Sequence, residues 1–146
     1  MMIRPIPGLT LDAQPEGIIL RMLCWGEARG ESPLGKLAVL WVVHNRAMKT
    51  DSTLKAEALR PLQFSCFNAN DPNRGKMLKA WEDDPVGWAV CDAVASLYEA
   101  RQTTDPTDQA THYYVAKMKN PPAWGRGHAG WQETVEIQSH VFGRAA

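Results

Sequence analysis

The pair Ser32-Pro33, followed by an almost unbroken apolar run from Leu37 to Val43, constrains this chain more than any other feature. A serine hydroxyl can accept a hydrogen bond from one of the free N–H groups at a helix start. A proline in the first helical position loses nothing by lacking its own N–H. Leu34, Leu37, Ala38, Trp41 and Val42 then recur at steps of three and four, the spacing of one helical face. A helix this apolar must lie at the centre of a fold, with Asn45 and Arg46 at its far end.

The other elements are expected to pack around it. Residues 12–30 read as a first helix, capped by Asp12, with Pro15 in its first turn and a stripe of Ile19, Leu20, Leu23 and Cys24. Gly26 and Gly30 weaken it near Arg29, where it should stop. Residues 54–59 suit a short helix ended by Pro61, and Asp71-Pro72-Asn73 is a turn signal. Another helical turn or two is expected over 74–82. Asp84-Pro85 repeats the cap-plus-proline signature, ahead of a stripe of Trp88, Cys91, Ala95 and Tyr98 running to about residue 101.

The C-terminal third changes character. A polar stretch over 103–109 leads into 111–116, which is aromatic and β-branched, and then into 134–142, where Val135, Ile137 and Val141 alternate with polar residues. Two strands joined by a long connection over 117–133 are expected, giving a mainly helical α+β chain with a small antiparallel hairpin or sheet. A length of 146 residues suits one domain over 1–146, with 1–11 as an extended N-terminal segment.

Several function classes lose support on composition. Lys plus Arg equals Asp plus Glu at 16 each, so no bulk positive field points to nucleic acid or to stable membrane association. Cys24, Cys66 and Cys91 are odd in number and sit among apolar neighbours, as buried free thiols in a reducing compartment would. Neither a signal-peptide pattern nor a membrane-length apolar run is present, so synthesis in the cytoplasm is expected. His44, His112, His128 and His140 show no metal-ligand spacing, and neither a metal nor a cofactor is expected.

The segment Cys24-Trp25-Gly26-Glu27-Ala28-Arg29-Gly30-Glu31 is where chemistry could reside. A glutamate beside an apolar wall can have its pKa raised and act as a general acid near neutral pH. On spacing alone, Glu27 and Glu31 read as ordinary helix-end residues with Arg29 as a surface partner. The wider pattern alters that weighing. Glu27-Ala28-Arg29-Gly30-Glu31, the helix ending in Asn45-Arg46, Gln63-Phe64-Ser65, His112-Tyr113-Tyr114 with Pro122-Ala123-Trp124, and Ile137-Gln138-Ser139-His140-Val141-Phe142 occur in this order. Together they resemble the cell-wall hydrolase family typified by the spore cortex-lytic enzymes. One departure is Gln138, where the family has a glycine, a residue that permits close backbone approach or an unusual φ.

The resemblance implies a lysozyme-like, lytic transglycosylase-like fold and cleavage of the β-1,4 bond between N-acetylmuramic acid and N-acetylglucosamine in peptidoglycan. Glu27 maps onto the family's catalytic acid. With no second carboxylate in a matching block, and Glu31 turned away by the corner at Gly30 and Pro33, a one-acid transglycosylase route is favoured over a water-using muramidase. Gln63 and Ser65 are candidates to bind acetamido groups or orient the carboxylate, or form a polar loop anchored by Phe64. Tyr113 and Tyr114 must face opposite sides of a strand, so one is expected in the cleft. Trp124 and Trp131 could stack on sugar faces, while Trp25, Trp41 and Trp88 are expected in the core. His140 has either a structural role or a sugar contact, and Arg46 is expected to be structural. A lone catalytic domain acting on glycan strands as a monomer would suit a phage endolysin released through a holin pore. A non-catalytic wall-binding or virion module is the alternative from another class.

Overall fold

The computed structural model describes residues 2–60 and 63–145, so the expected helix stop at Pro61 lies outside the described residues. Three long helices, α1 (Glu16–Ala28), α2 (Pro33–Thr50) and α6 (Pro85–Glu99), each pack against the other two. The short helices α3 (Leu54–Leu59), α4 (Arg74–Met77) and α5 (Ala80–Asp83) fill the connection between α2 and α6. Helix α2 begins as its sequence requires, with Ser32 Oγ accepting from Gly35 N at 3.2 Å and Pro33 in the first position. Asp84 does the same for α6, accepting from Gly87 N at 3.2 Å.

The core forms where the apolar stripes of these helices meet. Ile19 and Leu23 of α1, Val39 and Val43 of α2, and Trp88 and Ala95 of α6 are all fully buried. Each such Leu, Ile or Val contributes roughly 1.5–3 kcal/mol of transfer free energy. Cys24, Cys66 and Cys91 are free thiols in this core. Leu34 departs from its stripe and is half exposed, because it occupies the first turn of α2 on the outer side. Arg21 is fully buried on α1, bonded to Asp92 (2.7 Å), Glu99 (2.8 Å) and Ser96 (3.0 Å) of α6. Losing one carboxylate would leave a buried charge short of partners, a change that costs about 3–5 kcal/mol.

The start of α1 differs from the sequence reading. Asp12 does not cap α1 but lies in a separate 3-10 turn over Leu11–Ala13. Pro15 forces Gln14 into an extended conformation and restarts the chain as α1. The buried Gln14 side chain bonds Ile6 N, Ile6 O and Leu9 O, which fastens the N-terminal segment to the bundle. The helical turn or two expected over 74–82 forms as two single turns, α4 and α5, separated at Leu78 and Lys79.

The sheet also differs. Three antiparallel strands, β1 (His112–Val115), β2 (Gln132–Ile137) and β3 (His140–Arg144), lie in the order β1-β3-β2. The stretch expected to be one strand is a tight hairpin that turns at Gln138 and Ser139, and the 117–133 connection links the sheet's two edges. Gln138 takes a left-handed φ of 51° at the first turn residue, where glycine is the usual choice. Its side chain accepts a hydrogen bond from Ser32 N, a contact no glycine could make.

The turn also sorts the side chains. Ile137 pairs with His140 and Glu136 with Val141, so Ile137 and Val141 fall on opposite faces. One face, with Ile137 and Phe142, joins the helical core. The other, with Tyr114 and Val141, is covered by Trp131, whose ring lies 5.6 Å from that of Tyr114.

Candidate active site

Glu27 sits in the last turn of α1, one face of which opens onto a cleft of about 200 Å³. Three local features hold that turn. Lys36 of α2 is buried and donates to Arg29 O (2.9 Å) and Glu31 O, placing a cation on the exposed carbonyls at the end of α1. Arg29 lies over the Trp25 ring at 4.0 Å, and Trp25 Nε1 donates to Asp84 Oδ2 at 2.9 Å. Gly26 acts through its missing side chain, because a Cβ there would stand 2.7 Å from Cys66 Cβ. Without one, the 3-10 turn Ser65–Phe67 closes on α1 and directs Cys66 N–H toward Glu27 Oε1, a long contact of 3.4 Å.

The electrostatics of Glu27 follow from this setting. Burial pushes its pKa above the ordinary glutamate value, the Cys66 N–H partly opposes that, and the charge of Asp71 adds to it. Asp71 belongs to the Asp71-Pro72-Asn73 turn, where its Oδ1 accepts from Asn73 N at 2.8 Å. Nothing in the pattern around 71–73 signals that the folded chain brings this charge within reach of α1. Tyr113 is half-buried in the cleft wall. Burial and the Glu27 charge push its phenol well above its usual range, so it remains an O–H donor beside the carboxylate.

The remaining cleft residues come from α2, the 63–65 segment, β1 and the 117–133 connection. Gln63, Ser65, Tyr113 and Trp124, the candidates for substrate contact, all line it. Arg46, expected to be structural, does both jobs. It donates to Thr111 O and Gln63 Oε1 and lies 5.3 Å over the Phe64 ring, yet it also lines the cleft. His112, not singled out from sequence, lines the cleft with its ring 4.7 Å from that of Trp124. Burial and the nearby Arg46 and Lys49 charges lower its pKa to about 4, which leaves it a neutral imidazole.

Other candidates lie behind the cleft. His140 is buried, with its ring 5.0 Å from that of Tyr113, and does not line the cleft. Its Nδ1 stands 3.2 Å from Glu31 Oε1. Glu31 also accepts from Ser139 N (3.0 Å) and Ser139 Oγ (2.9 Å), so its carboxylate is occupied in fastening the β2–β3 turn to the α1–α2 corner. Trp131 backs Trp124 at 5.8 Å and is not part of the cleft lining. Trp25 and Trp88 are in the core as expected, whereas Trp41 is half-buried in the wall of a second pocket.

The family model for cell wall hydrolases matches residues 30–143. The chain belongs to the cell wall hydrolase family. The matched span takes in every cleft element except the end of α1, so Glu27 lies three residues before it. This cell wall hydrolase is also similar in structure to the catalytic domain of the germination-specific lytic transglycosylase SleB from Bacillus anthracis. The TM-score is 0.65 at 18% identity, over 95% of this chain and 99% of that one. The catalytic domain of the Bacillus cereus SleB protein gives the same score and identity, over 96% of this chain and 95% of that one. At that identity the likeness shows a shared fold, mainly helical with a small antiparallel sheet. No curated protein matches the chain.

Proposed function

We propose that this cell wall hydrolase cleaves the β-1,4 bond between N-acetylmuramic acid and N-acetylglucosamine as a lytic transglycosylase, with Glu27 as acid and then base. The observation that carries this reading is that Glu27 is the one carboxylate among the described residues lining the cleft, and burial favours its protonated form. In the first step Glu27 gives its proton to the leaving glycosidic oxygen as the bond to the muramic C1 breaks and oxocarbenium character develops there. In the second, the muramic 6-hydroxyl oxygen bonds to C1 and its proton returns to Glu27. The product carries a 1,6-anhydro ring, no water is consumed, and one carboxylate suffices.

The surrounding groups suit these steps. Cys66 N–H and the Tyr113 phenol can donate to the Glu27 carboxylate after it has lost its proton. Arg46 anchors Gln63 through the amide oxygen, which leaves the amide N–H₂ as a donor for an acetamido carbonyl. Trp124, on the exposed lip, offers an apolar face for a sugar ring. The likeness to a domain named as a lytic transglycosylase supports the same choice. The test is clearance of a purified peptidoglycan suspension by wild type and by Glu27→Gln, which keeps shape but removes the titratable proton. Clearance by wild type alone is expected, and equal clearance by both would refute the assignment.

A further inference from the structure

A larger pocket, about 710 Å³, opens on the far side of α2 from the catalytic cleft. Val42 and Arg46 line the cleft, whereas Trp41, His44 and Met48 line this pocket. At 100° per residue the two sets point roughly 150° apart around α2. No step of the proposed reaction uses this second site, yet its walls are built to fixed positions. Trp41 Nε1 donates to Thr103 Oγ1 at 3.3 Å, and the Trp41 ring stands edge-on to Tyr98 at 5.5 Å and 85°. His44 Nδ1 and Tyr98 OH are 2.7 Å apart, and the His44 ring lies 4.4 Å from that of Trp41. Ordering these rings in advance lowers the entropy cost of binding against them.

The polar groups narrow the ligand class. Two carboxylates in the wall are held in place, Glu99 Oε1 by Arg21 Nη2 at 2.8 Å and Glu16 Oε2 by Lys55 N at 3.1 Å. Burial, and after it the charges of these two carboxylates, push the Tyr98 phenol up to about 12. Burial keeps His44 below its usual pKa, so the imidazole adds no positive charge at neutral pH. Hydroxyls of Ser52 and Thr53 add further donors and acceptors. Arg101 is the one Lys or Arg among the described residues lining the pocket, set against two carboxylates, so the wall has no net positive charge to hold a phosphate, while an uncharged polyhydroxyl ring fits, stacking on an aromatic face and donating hydroxyls to carboxylates.

We propose that this pocket is a second saccharide-binding site, which holds an uncharged N-acetylglucosamine unit of the glycan while the cleft on the other side of α2 works on a strand. The choice of wall glycan as the occupant rests on the proposed function. The existence of a saccharide site does not. Holding the polymer at two places raises the effective concentration of scissile bonds at the cleft.

The test uses the intact chain carrying Glu27→Gln, titrated with tetra-N-acetylchitotetraose, and reads the indole N–H signals of Trp41 and Trp124 by NMR. A saturable shift of the Trp41 signal is expected, and it should disappear in a Met48→Arg variant, which blocks the pocket from an exposed position. In the active background, Met48→Arg should bind insoluble peptidoglycan about 2- to 10-fold more weakly, with cleavage of short soluble fragments unchanged. A Trp41 signal that stays fixed at saturating sugar would overturn the proposal, as would unchanged wall binding by Met48→Arg. If wild type cleaves neither substrate, the catalytic reading fails while the Trp41 titration still decides this site.

Discussion

Replacing Gly26 by alanine adds a single methyl group at the point where α1 meets the 65–67 turn. That Cβ would lie 2.7 Å from Cys66 Cβ and 2.9 Å from both Cys66 Sγ and Met77 Sδ. Met77 Sδ is near the end of a flexible side chain and can swing aside. Cys66 Cβ hangs directly on the backbone, so the turn itself must retreat. Helix propensity works in the opposite direction, favouring alanine over glycine by about 1 kcal/mol. Overpacking costs about 1–3 kcal/mol, so the expected net loss is about 1 kcal/mol, or about 3–4 °C in Tm for a chain of this size. Activity should fall further than stability suggests. Retreat of the turn lengthens a Cys66 N–Glu27 contact that is already 3.4 Å and shifts Ser65 and Gln63 in the cleft wall. A displacement approaching 1 Å can cost about 100-fold in rate, so a kcat loss of about 10- to 100-fold is expected. Calorimetry and turbidity clearance on the same samples measure both effects. A Gly26→Ala protein that melts higher than wild type and clears walls at the wild-type rate would refute the close-approach argument.

Further outcomes follow from the same geometry. Because Glu27 must be protonated to act as an acid, kcat/KM should fall as pH rises through its raised pKa, and Asp71→Asn, by removing a charge that raises it, should move that limb to lower pH. The raised pKa also means that the folded state keeps a proton which the unfolded state gives up above its ordinary value of 4.5. Stability is therefore lost as pH rises from there through the folded pKa, and Glu27→Gln should melt higher than wild type at neutral pH but not in acid, as a pH series of thermal scans will show. Glu31→Ala should cost about 1–2 kcal/mol in urea unfolding, since it removes the two charge-assisted hydrogen bonds to Ser139 and the carboxylate beside His140, while leaving the pH–rate limb in place. A displaced limb would instead make Glu31 a catalytic partner. Trp124→Ala should raise KM about 2- to 10-fold with little change in Tm, measured by steady-state assay on soluble glycan fragments.

The helical part of the fold was legible because its signals are local. Ser32-Pro33 and Asp84-Pro85 mark helix starts through groups one turn away, and both caps form as their sequences require. The alternation of Tyr113 and Tyr114 likewise follows from strand geometry alone. The β2–β3 hairpin was not legible, because a two-residue turn with Gln138 in place of glycine leaves the polar–apolar alternation unbroken. Only the pairing reveals that Ile137 and Val141 face opposite ways. Gln63, Ser65, Tyr113 and Trp124 are candidates through the ordered blocks, and the fold brings them to one cleft with Glu27. Asp71 and the Cys66 N–H were missed because each acts on Glu27 across the tertiary fold, with no periodicity or motif to announce it. Gly26 looked like a helix weakener, but its role lies in what packs against it.

The most direct test of a one-carboxylate lyase at Glu27 is mass spectrometry of the fragments released from peptidoglycan in oxygen-18 water. The account predicts muramic ends in the 1,6-anhydro form, lighter by one water than reducing ends and free of the heavy isotope, with no fragments released by Glu27→Gln. Reducing muramic ends carrying oxygen-18 would contradict it and assign the cleft to a water-using muramidase.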